Sequence, residues 1–529
     1  MRMLMGGETE YAISARDTDD RTIDQVPLLA RFLDHAKRSL GLTSTSDRGR
    51  FLPNGGLLYL DSGLHMEWAT PECTSPYDVV RYLKAGDEII RRLAATIAEH
   101  WPSVSELFCS RSSVDYLSNT AWAAHESYMH QIAPGALPAE LIPFLASRVF
   151  LGAGGWDVRS PALRFTLSPR AHFITQVCDR DSQYMRPLFH TKDESLSRTG
   201  SHRLHVACAE TVCSETANVL RFGTTALVVA LIECGVRPGA EVTLMSPISA
   251  LQRFATDPDC RARAMLTNRR RMTALDIQRH YLSCVEDHLD EMELPDWAEP
   301  VCVLWRTILD ELEQGAAGVE MMLDWAIKRR LFMRRLARRG IQWASLRAWD
   351  TALSRVKHVW SAVARRDQPF DLKLAVENHP VLAAEIRRLT PFLEYQGLSW
   401  AQLPGFISAR HEVLELDAKF GALGERGLFN ALDRSGTLRH RVPGLDVSSA
   451  VESPPQDTRA RIRGQVVRRL SRAGTRYAAD WVTIRDLDHR RALDLADPFE
   501  TEEQWRDMSD VATASHSPSV SGDPASPAE

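Results

Sequence analysis

The sequence predicts an α+β fold: a curved antiparallel sheet flanked by helices, with a smaller C-terminal unit. Three observations carry this. Short extended segments near the N-terminus place polar residues two apart with apolar neighbours between them, as strands with one wet face do. Longer stretches downstream repeat apolar residues at helical spacing. Turn signals such as Asn54-Gly55-Gly56 and Asp61-Ser62-Gly63 separate neighbouring extended segments.

Residues 2–13 read as the first strand, almost at the start of the chain. Residues 24–40 read as an amphipathic helix, with Val26, Leu29, Phe32, Leu33 and Ala36 on one face. Residues 57–70 form a hairpin-like pair around Asp61-Ser62-Gly63, and residues 78–99 a second helix. Ser214 suits a helix N-cap, with Glu215 and Thr216 in the first turn, and Gly235 followed by Pro238 stops that helix. Residues 274–290, 300–338 and 343–408 carry long helical patterns. The expected organisation is a catalytic domain at 1–410, with a helical insertion at about 343–408, and a small α/β domain at 411–500. Residues 501–529 turn polar and rich in Ser, Pro, Ala and Asp, which predicts a disordered tail.

Composition narrows the class. A chain of 529 residues with 44% hydrophobic and 25% charged residues has the balance of a soluble globular protein. The net charge of -5 gives no sign of a nucleic-acid partner. The longest apolar run, residues 226–232, is too short to cross a membrane, and Glu8 and Glu10 interrupt any leader-like segment. Nine cysteines without a CxxC pair are expected to be buried thiols in a reducing cytoplasm. The basic words Lys328-Arg329-Arg330 and Arg334-Arg335 are expected on a solvated helix face. Gly152-Ala153-Gly154-Gly155 is expected to be a flexible loop.

Strand parity gathers the candidate chemistry. Glu8 and Glu10 are two apart, so both project from one face. Tyr59 and Asp61 repeat the spacing out of phase with Leu58 and Leu60. His65 with Glu67, and Arg203 with His205, do the same. A sheet curved around a cavity brings such groups together, and its carboxylates repel one another unless cations lie between them. Mg²⁺ prefers oxygen ligands and tolerates phosphate oxygens in its shell, and arginine adds planar contacts to phosphate. The same pattern also fits a sheet whose polar face only meets water. No Walker-type phosphate loop and no nucleophile elbow supports another route.

The words Met5-Gly6-Gly7-Glu8-Thr9-Glu10-Tyr11 and Asn54-Gly55-Gly56-Leu57-Leu58-Tyr59-Leu60-Asp61 resemble the opening motifs of the Pup ligase and Pup deamidase (depupylase) family, Pup being a prokaryotic ubiquitin-like modifier. The resemblance continues through His65-Met66-Glu67-Trp68-Ala69-Thr70, His125-Glu126-Ser127-Tyr128, Arg203-Leu204-His205-Val206 and Ser214-Glu215-Thr216, and returns at Pro454-Pro455-Gln456-Asp457-Thr458-Arg459 and Asp480-Trp481. It implies a glutamine-synthetase-like domain binding ATP and Mg²⁺. By position, Glu8, Tyr59 and Glu67 match Mg²⁺ ligands, with Glu10 and His205 completing the cation site. Asp61 matches the catalytic base, Thr70 an ATP contact and Trp481 an adenine-side contact, and Arg203 should reach phosphate. The implied reaction turns the γ-carboxylate of a modifier's C-terminal glutamate into an acyl phosphate, then joins it to a target lysine. The stretch between Ile13 and Asn54 is too short for both its helix and the deamidase's long loop, which favours the ligase branch.

This chain also departs from the resemblance. Leu57 replaces an arginine that contacts ATP, a loss of about 1.5–3 kcal/mol of binding for a charge-assisted contact. Cys109-Ser110-Arg111 replaces a Lys-Asn-Asn word, with Arg111 as a candidate substitute. The loop at residues 192–196 and the word Asp417-Ala418-Lys419-Phe420-Gly421 are altered.

Overall fold

A computed structural model of the chain describes residues 3–46, 49–116, 118–133, 135–179, 186–190, 196–197, 199–357 and 371–508. The first strand, β1 (Met5–Asp17), starts the main sheet. It is followed by β2 (Gly49–Phe51), β3 (Leu57–Leu60), β4 (Met66–Ala69), β5 (Val104–Ser110) and β6 (Ala124–His130). A small pair, β7 (Gly155–Trp156) and β8 (Phe165–Thr166), precedes β9 (Gln176–Asp179), β10 (Pro187–His190) and β11 (His202–Ala209). The main sheet has nine strands in the order β2-β3-β4-β1-β6-β11-β10-β9, with β5 paired to the distal half of β1. Its neighbours run antiparallel, as expected, except that β9 and β10 are parallel.

Parity decides what each face does. Even positions of β1, Glu8 and Glu10, lie on the polar face of the sheet. Tyr11, at an odd position, is fully buried and donates its hydroxyl to Asp87 on the helix Pro76–His100. That helix and Glu215–Glu233 cover the apolar side of the sheet. Ser214 caps the second, its hydroxyl accepting from the Ala217 N–H. Glu215–Glu233 is long and apolar enough to cross a membrane, yet its apolar window is wholly buried inside the protein.

Packing behind the sheet is tight at Trp68. The indole is fully buried, and a Cβ added at Gly86 would lie 2.2 Å from its ring. Both partners sit on rigid elements, so neither yields easily. Gly86→Ala is expected to destabilise the chain by about 1–3 kcal/mol, the usual cost of overpacking a core, read as a lowered midpoint in chemical denaturation.

Several expectations need correction. The pattern at 300–338 forms two helices, Ala298–Glu313 and Asp324–Arg338, because the chain turns at Gly315 with φ 107°. Lys328 is not on a solvated face: it is buried, 2.7 Å from Asp417, and donates to the Gly154 carbonyl. The glycine run at 152–155 is close-packed rather than a free loop, since a Cβ on Gly154 (φ 66°) would sit 2.3 Å from the Trp325 Cα. Cys178 and Cys234 are exposed, whereas Cys73, Cys109, Cys213, Cys260 and Cys302 are buried.

The described part of 343–408 is mainly helical, including Leu346–Arg355, Leu372–Asn378 and Pro380–Tyr395. The helix Leu403–Phe420 runs unbroken through position 410, so the expected domain boundary there falls inside an element that packs on Asp324–Arg338.

Beyond the main sheet lie a hairpin of β12 (Arg263–Met265) and β13 (Arg271–Thr273), and a second sheet of β14 (Tyr477–Ala479), β15 (Thr483–Asp486), β16 (Arg491–Asp494) and β17 (Trp505–Asp507). β17 corrects the tail expected from residue 501: Trp505 pairs with Leu493 on β16 and takes the Arg491 guanidinium over its ring. Residues 509–529 lie outside the described residues. The helix Ala460–Arg472 puts Ile462, Val466, Val467 and Leu470 into one core with Tyr11, Leu58 and Trp68, so the C-terminal unit shares its interior with the first strands.

Candidate active site

Register assembles the site row by row. Tyr59 on β3 lies opposite Glu67 on β4, and Glu67 lies opposite Glu10 on β1. Glu8 lies opposite His125 on β6. One step along, Ser127 faces His205 on β11, and His205 faces His190 on β10. All of these share the sheet's polar face, because each is two residues from the next candidate on its own strand. Asp61 and His65 flank the β3–β4 turn at its edge, where the His65 N–H donates to Asp61 Oδ1 at 2.5 Å.

His125 is the hub. Its Nδ1 lies 3.0 Å from Glu8 Oε2 and 3.4 Å from Glu67 Oε1, and its Nε2 lies 3.9 Å from Glu10 Oε1. His65 Nδ1 sits between Asp61 (3.4 Å) and Glu10 (3.5 Å). Arg203 donates through Nε to Ser127 Oγ at 3.2 Å, contacts His205 Nδ1, and comes within 3.9 Å of Glu8.

The electrostatics are those of carboxylates crowded in a dry site. Burial pushes Glu67 up to about 7; the His125 hydrogen bond opposes this, while the charge of Glu8 reinforces it. Burial also disfavours a charged Glu8, but the His125 hydrogen bond and the His205 and Arg203 charges override it and hold Glu8 well below the ordinary carboxylate range. Burial disfavours the His125 cation, yet its bonds to Glu67 and Glu8 lift it to about 10. His205 is driven well down by burial and then by Arg203. Tyr59 is pushed well up by burial beside Glu67 and Glu8.

Three overlapping triads, Glu8-His125-His205, Glu10-Glu67-His125 and Glu10-Asp61-His65, each bring one ligand atom per residue within 4.8 Å of the others. Glu67 Oε1 is buried without a well-formed hydrogen bond. Such a donor set, mostly carboxylate oxygen with some imidazole, fits a divalent cation of the Mg²⁺ or Mn²⁺ type.

A cleft of about 660 Å³, counting space open to solvent, adjoins this cluster. Glu8, Thr70, Arg203 and Trp481 line it, so four of the sequence-predicted residues meet there. Glu10, Tyr59, Asp61, Glu67 and His205 join it through the network around His125 and Glu8. Thr70 is buried, and its Oγ1 accepts from the Gly7 N–H at 3.0 Å. Leu57 shares the polar-face parity of Tyr59 and faces Ala69 across β4.

Sequence reasoning gave no role to His125, Ser127, Glu72, Arg459 or Arg463. The alternation of His125 and Ser127 within their motif was the available signal. Glu72, also lining the cleft, receives Arg459 Nε at 2.7 Å and Arg463 through a close pair. Arg463 also donates to the carbonyl of Gly55 and stacks near Phe51 and Trp481, which holds Trp481 in the cleft lining.

The candidate substitute Arg111, and Asp417 of the altered word, are structural. Arg111 is locked to Asp87 at 2.6 Å and to the carbonyls of Val212 and Leu83. Asp417 is held by Lys328 and Tyr116. Residues 192–195 of the altered loop lie outside the described residues.

The family model described as Pup-ligase protein matches residues 3–372 and 394–485. The "Pup--protein ligase" of Mycobacterium bovis (strain BCG / Pasteur 1173P2) and that of Mycobacterium tuberculosis (strain ATCC 25177 / H37Ra) are each 30% identical over 509 residues, covering 94% of this chain and 96% of the relative. The solved complex between prokaryotic ubiquitin-like protein Pup and its ligase PafA has the same fold, with a TM-score of 0.71 at 23% identity over 95% of this chain and 90% of that one. The structure of the Pup ligase PafA in complex with ADP gives 0.67 at 22% identity, over 90% and 91%. With its model spanning most of the sequence and relatives at this identity over nearly full length, the chain belongs to the Pup-ligase family.

Proposed function

We propose that this chain is an ATP-dependent ligase. In this reading it activates the γ-carboxylate of the C-terminal glutamate of Pup, or of a related small modifier, as an acyl phosphate and joins it to a target lysine by an isopeptide bond. The observation that carries it is the convergence of Glu8, Glu10, Glu67 and Asp61, with His125, His205 and Arg203, beside one cleft. The names of the relatives and of the complexes with Pup and with ADP support the same reading.

The family resemblance suggests the roles, and the geometry supports them. Glu8, Glu10, Tyr59, Glu67, His125 and His205 would hold Mg²⁺, which when bound screens phosphate charge and orients the triphosphate. Thr70 and Trp481 bind the nucleotide, Trp481 offering its indole from the cleft lining. Arg203, tethered by Ser127, meets the transferred phosphoryl oxygens, where charge spreads in the transition state. Asp61, oriented by the His65 N–H, takes a proton from the incoming lysine ammonium, freeing its lone pair for the acyl carbon. The glutamine-synthetase-like character of the sheet, and a cytoplasmic place of work, belong to this proposal. So does the division of labour between a catalytic N-terminal body and a C-terminal unit that brings Arg459 and Trp481.

The purified chain, ATP, Mg²⁺ and a Pup-type modifier ending in glutamate are expected to give a mass-shifted lysine conjugate with ADP and phosphate. Chelation with EDTA is expected to abolish turnover, and added Mg²⁺ to restore it. A preparation that only releases ammonia from a glutamine-ended modifier, or forms no conjugate at all, would overturn the ligase assignment.

A further inference from the structure

We propose that Arg170 and Arg186 form an anion pocket that receives the α-carboxylate of the modifier's terminal glutamate while its γ-carboxylate sits at the metal cluster. The proposal rests on the ligase reading and names what that site selects, a glutamate with a free C-terminus. Arg170 lies in the short helical turn Pro169–His172 and is 6% exposed. Its Nη2 donates to the Ala207 carbonyl on β11 at 3.3 Å, and its Nε is buried without a hydrogen-bond partner among the described residues. Arg186 immediately precedes β10 and is partly buried. Its guanidinium carbon lies 5.0 Å over the ring of Phe173, whose N–H donates to the Arg170 carbonyl at 2.8 Å. One turn thus carries Arg170 and the platform for Arg186.

Neither arginine has a carboxylate within ion-pair range among the described residues. Arg111, Arg148, Arg459 and Arg463, buried elsewhere, each hold one. Two like charges in a half-dry place repel. Burial and then the Arg170 charge push Arg186 down, with the charge of Glu10 opposing. An oxyanion between the two guanidinium groups removes that repulsion, and the guanidinium fork matches a carboxylate through parallel hydrogen bonds.

Register indicates which anion belongs there. The cleft assigned to the nucleotide is lined by Met5, Glu8, Ser127 and Arg203, and it lies at the end of the sheet where Gly6 faces Ser127 and Ser127 faces His205. The row Thr9–Ala124–Ala209 marks the other end. β10 runs antiparallel to β11 with Phe189 opposite Val206, so Arg186 lies towards Ala209, at the Glu10 end. The Glu10 charge felt at Arg186 agrees with this. The arginine pair therefore stands across the Glu8–His125 row from the nucleotide cleft, whose phosphate charge Arg203 serves. A glutamate that offers its γ-oxygens at the metal row and trails its α-carboxylate away from the nucleotide fits this order. In an internal glutamate the α-carboxyl is a neutral peptide group, so the pocket favours the terminal residue over every other acid of the modifier.

Conjugation kinetics on the full chain test this with two synthetic forms of a Pup-type modifier ending in glutamate. One carries the free α-carboxylate and the other an α-carboxamide, and both keep the γ-carboxylate. The wild-type KM is expected to be about 10- to 100-fold higher for the carboxamide, the loss of a charge-assisted contact. Arg186→Met and Arg170→Met are each expected to raise KM for the free acid by about tenfold or more. Both variants are expected to leave KM for the carboxamide and the affinity for ATP close to wild type, because the removed charge has no partner there. Should Arg170→Met fail to fold by circular dichroism, Arg186→Met and the carboxamide comparison decide. A carboxamide used as well as the free acid, or variants that lose both forms equally, would overturn the proposal and leave the ligase reading standing. Variants that weaken ATP binding instead would make the pocket a phosphate site and overturn it too. No conjugate from either form with the wild-type chain would overturn the ligase reading, and this role with it.

Discussion

Replacing Asp61 with asparagine is expected to slow conjugate formation by about 10²- to 10⁴-fold, the contribution of a positioned general base. Nucleotide affinity is expected to change little. Asparagine keeps the shape and the oxygen that accepts the His65 N–H, so the β3–β4 turn survives. It cannot take a proton from a lysine ammonium. Asp61 also does not line the nucleotide cleft, which Thr70, Arg203 and Trp481 do. Single-turnover conjugation beside a nucleotide titration separates the two effects. An unchanged rate would place the base elsewhere, and an equal loss in nucleotide affinity would make Asp61 a structural residue.

The second large effect is expected at Arg463. Its side chain is fully buried and bridges three parts of the fold: Glu72 after β4, the Gly55 carbonyl in the β2–β3 turn, and the Trp481 carbonyl. Arg463→Met keeps much of the volume but strands part of the Glu72 charge in a dry interior. Removing one partner of a buried ion pair costs about 3–5 kcal/mol. The loss is expected to depend on pH with a definite sign. Burial alone would raise Glu72, but Arg463 and Arg459 outweigh it and hold the carboxyl at about 2 instead of 4.5. A depressed carboxyl contributes its stability above its unfolded value and loses it as pH falls towards the folded one. The gap between variant and wild type is therefore expected to be widest above pH 4.5 and to close towards pH 2, read by denaturant midpoints across that range. A gap independent of pH would mean that Arg463 acts through packing alone.

Local chemistry made some of this legible in the sequence. The two-residue spacing of Glu8 with Glu10, and of Tyr59 with Asp61, follows from the pleat of a strand, and register then brought them together. Ser214 and Gly235 bounded a helix because a hydroxyl cap and a left-handed stop are local signals. What stayed hidden depended on partners far along the chain. Lys328 looks like one more surface cation until Asp417 is placed beside it. Arg111 looks like a free substitute for the missing Lys-Asn-Asn word until Asp87 claims it. His125 became the hub only once β6 was set against β1, a pairing that no local pattern announces. The parallel β9–β10 edge likewise reflects tertiary placement rather than propensity, whereas the stop at Gly315 is a local signal that the helical pattern at 300–338 masked.

The Arg459–Glu72–Arg463 cluster ties the inheritance of these three positions together. Two guanidinium groups share one largely buried carboxylate, so a neutral residue at any one position leaves its partners mismatched. Drift there is viable only as a concerted exchange, and a chimera that takes its C-terminal unit from another lineage must import the matching residue at position 72 with it.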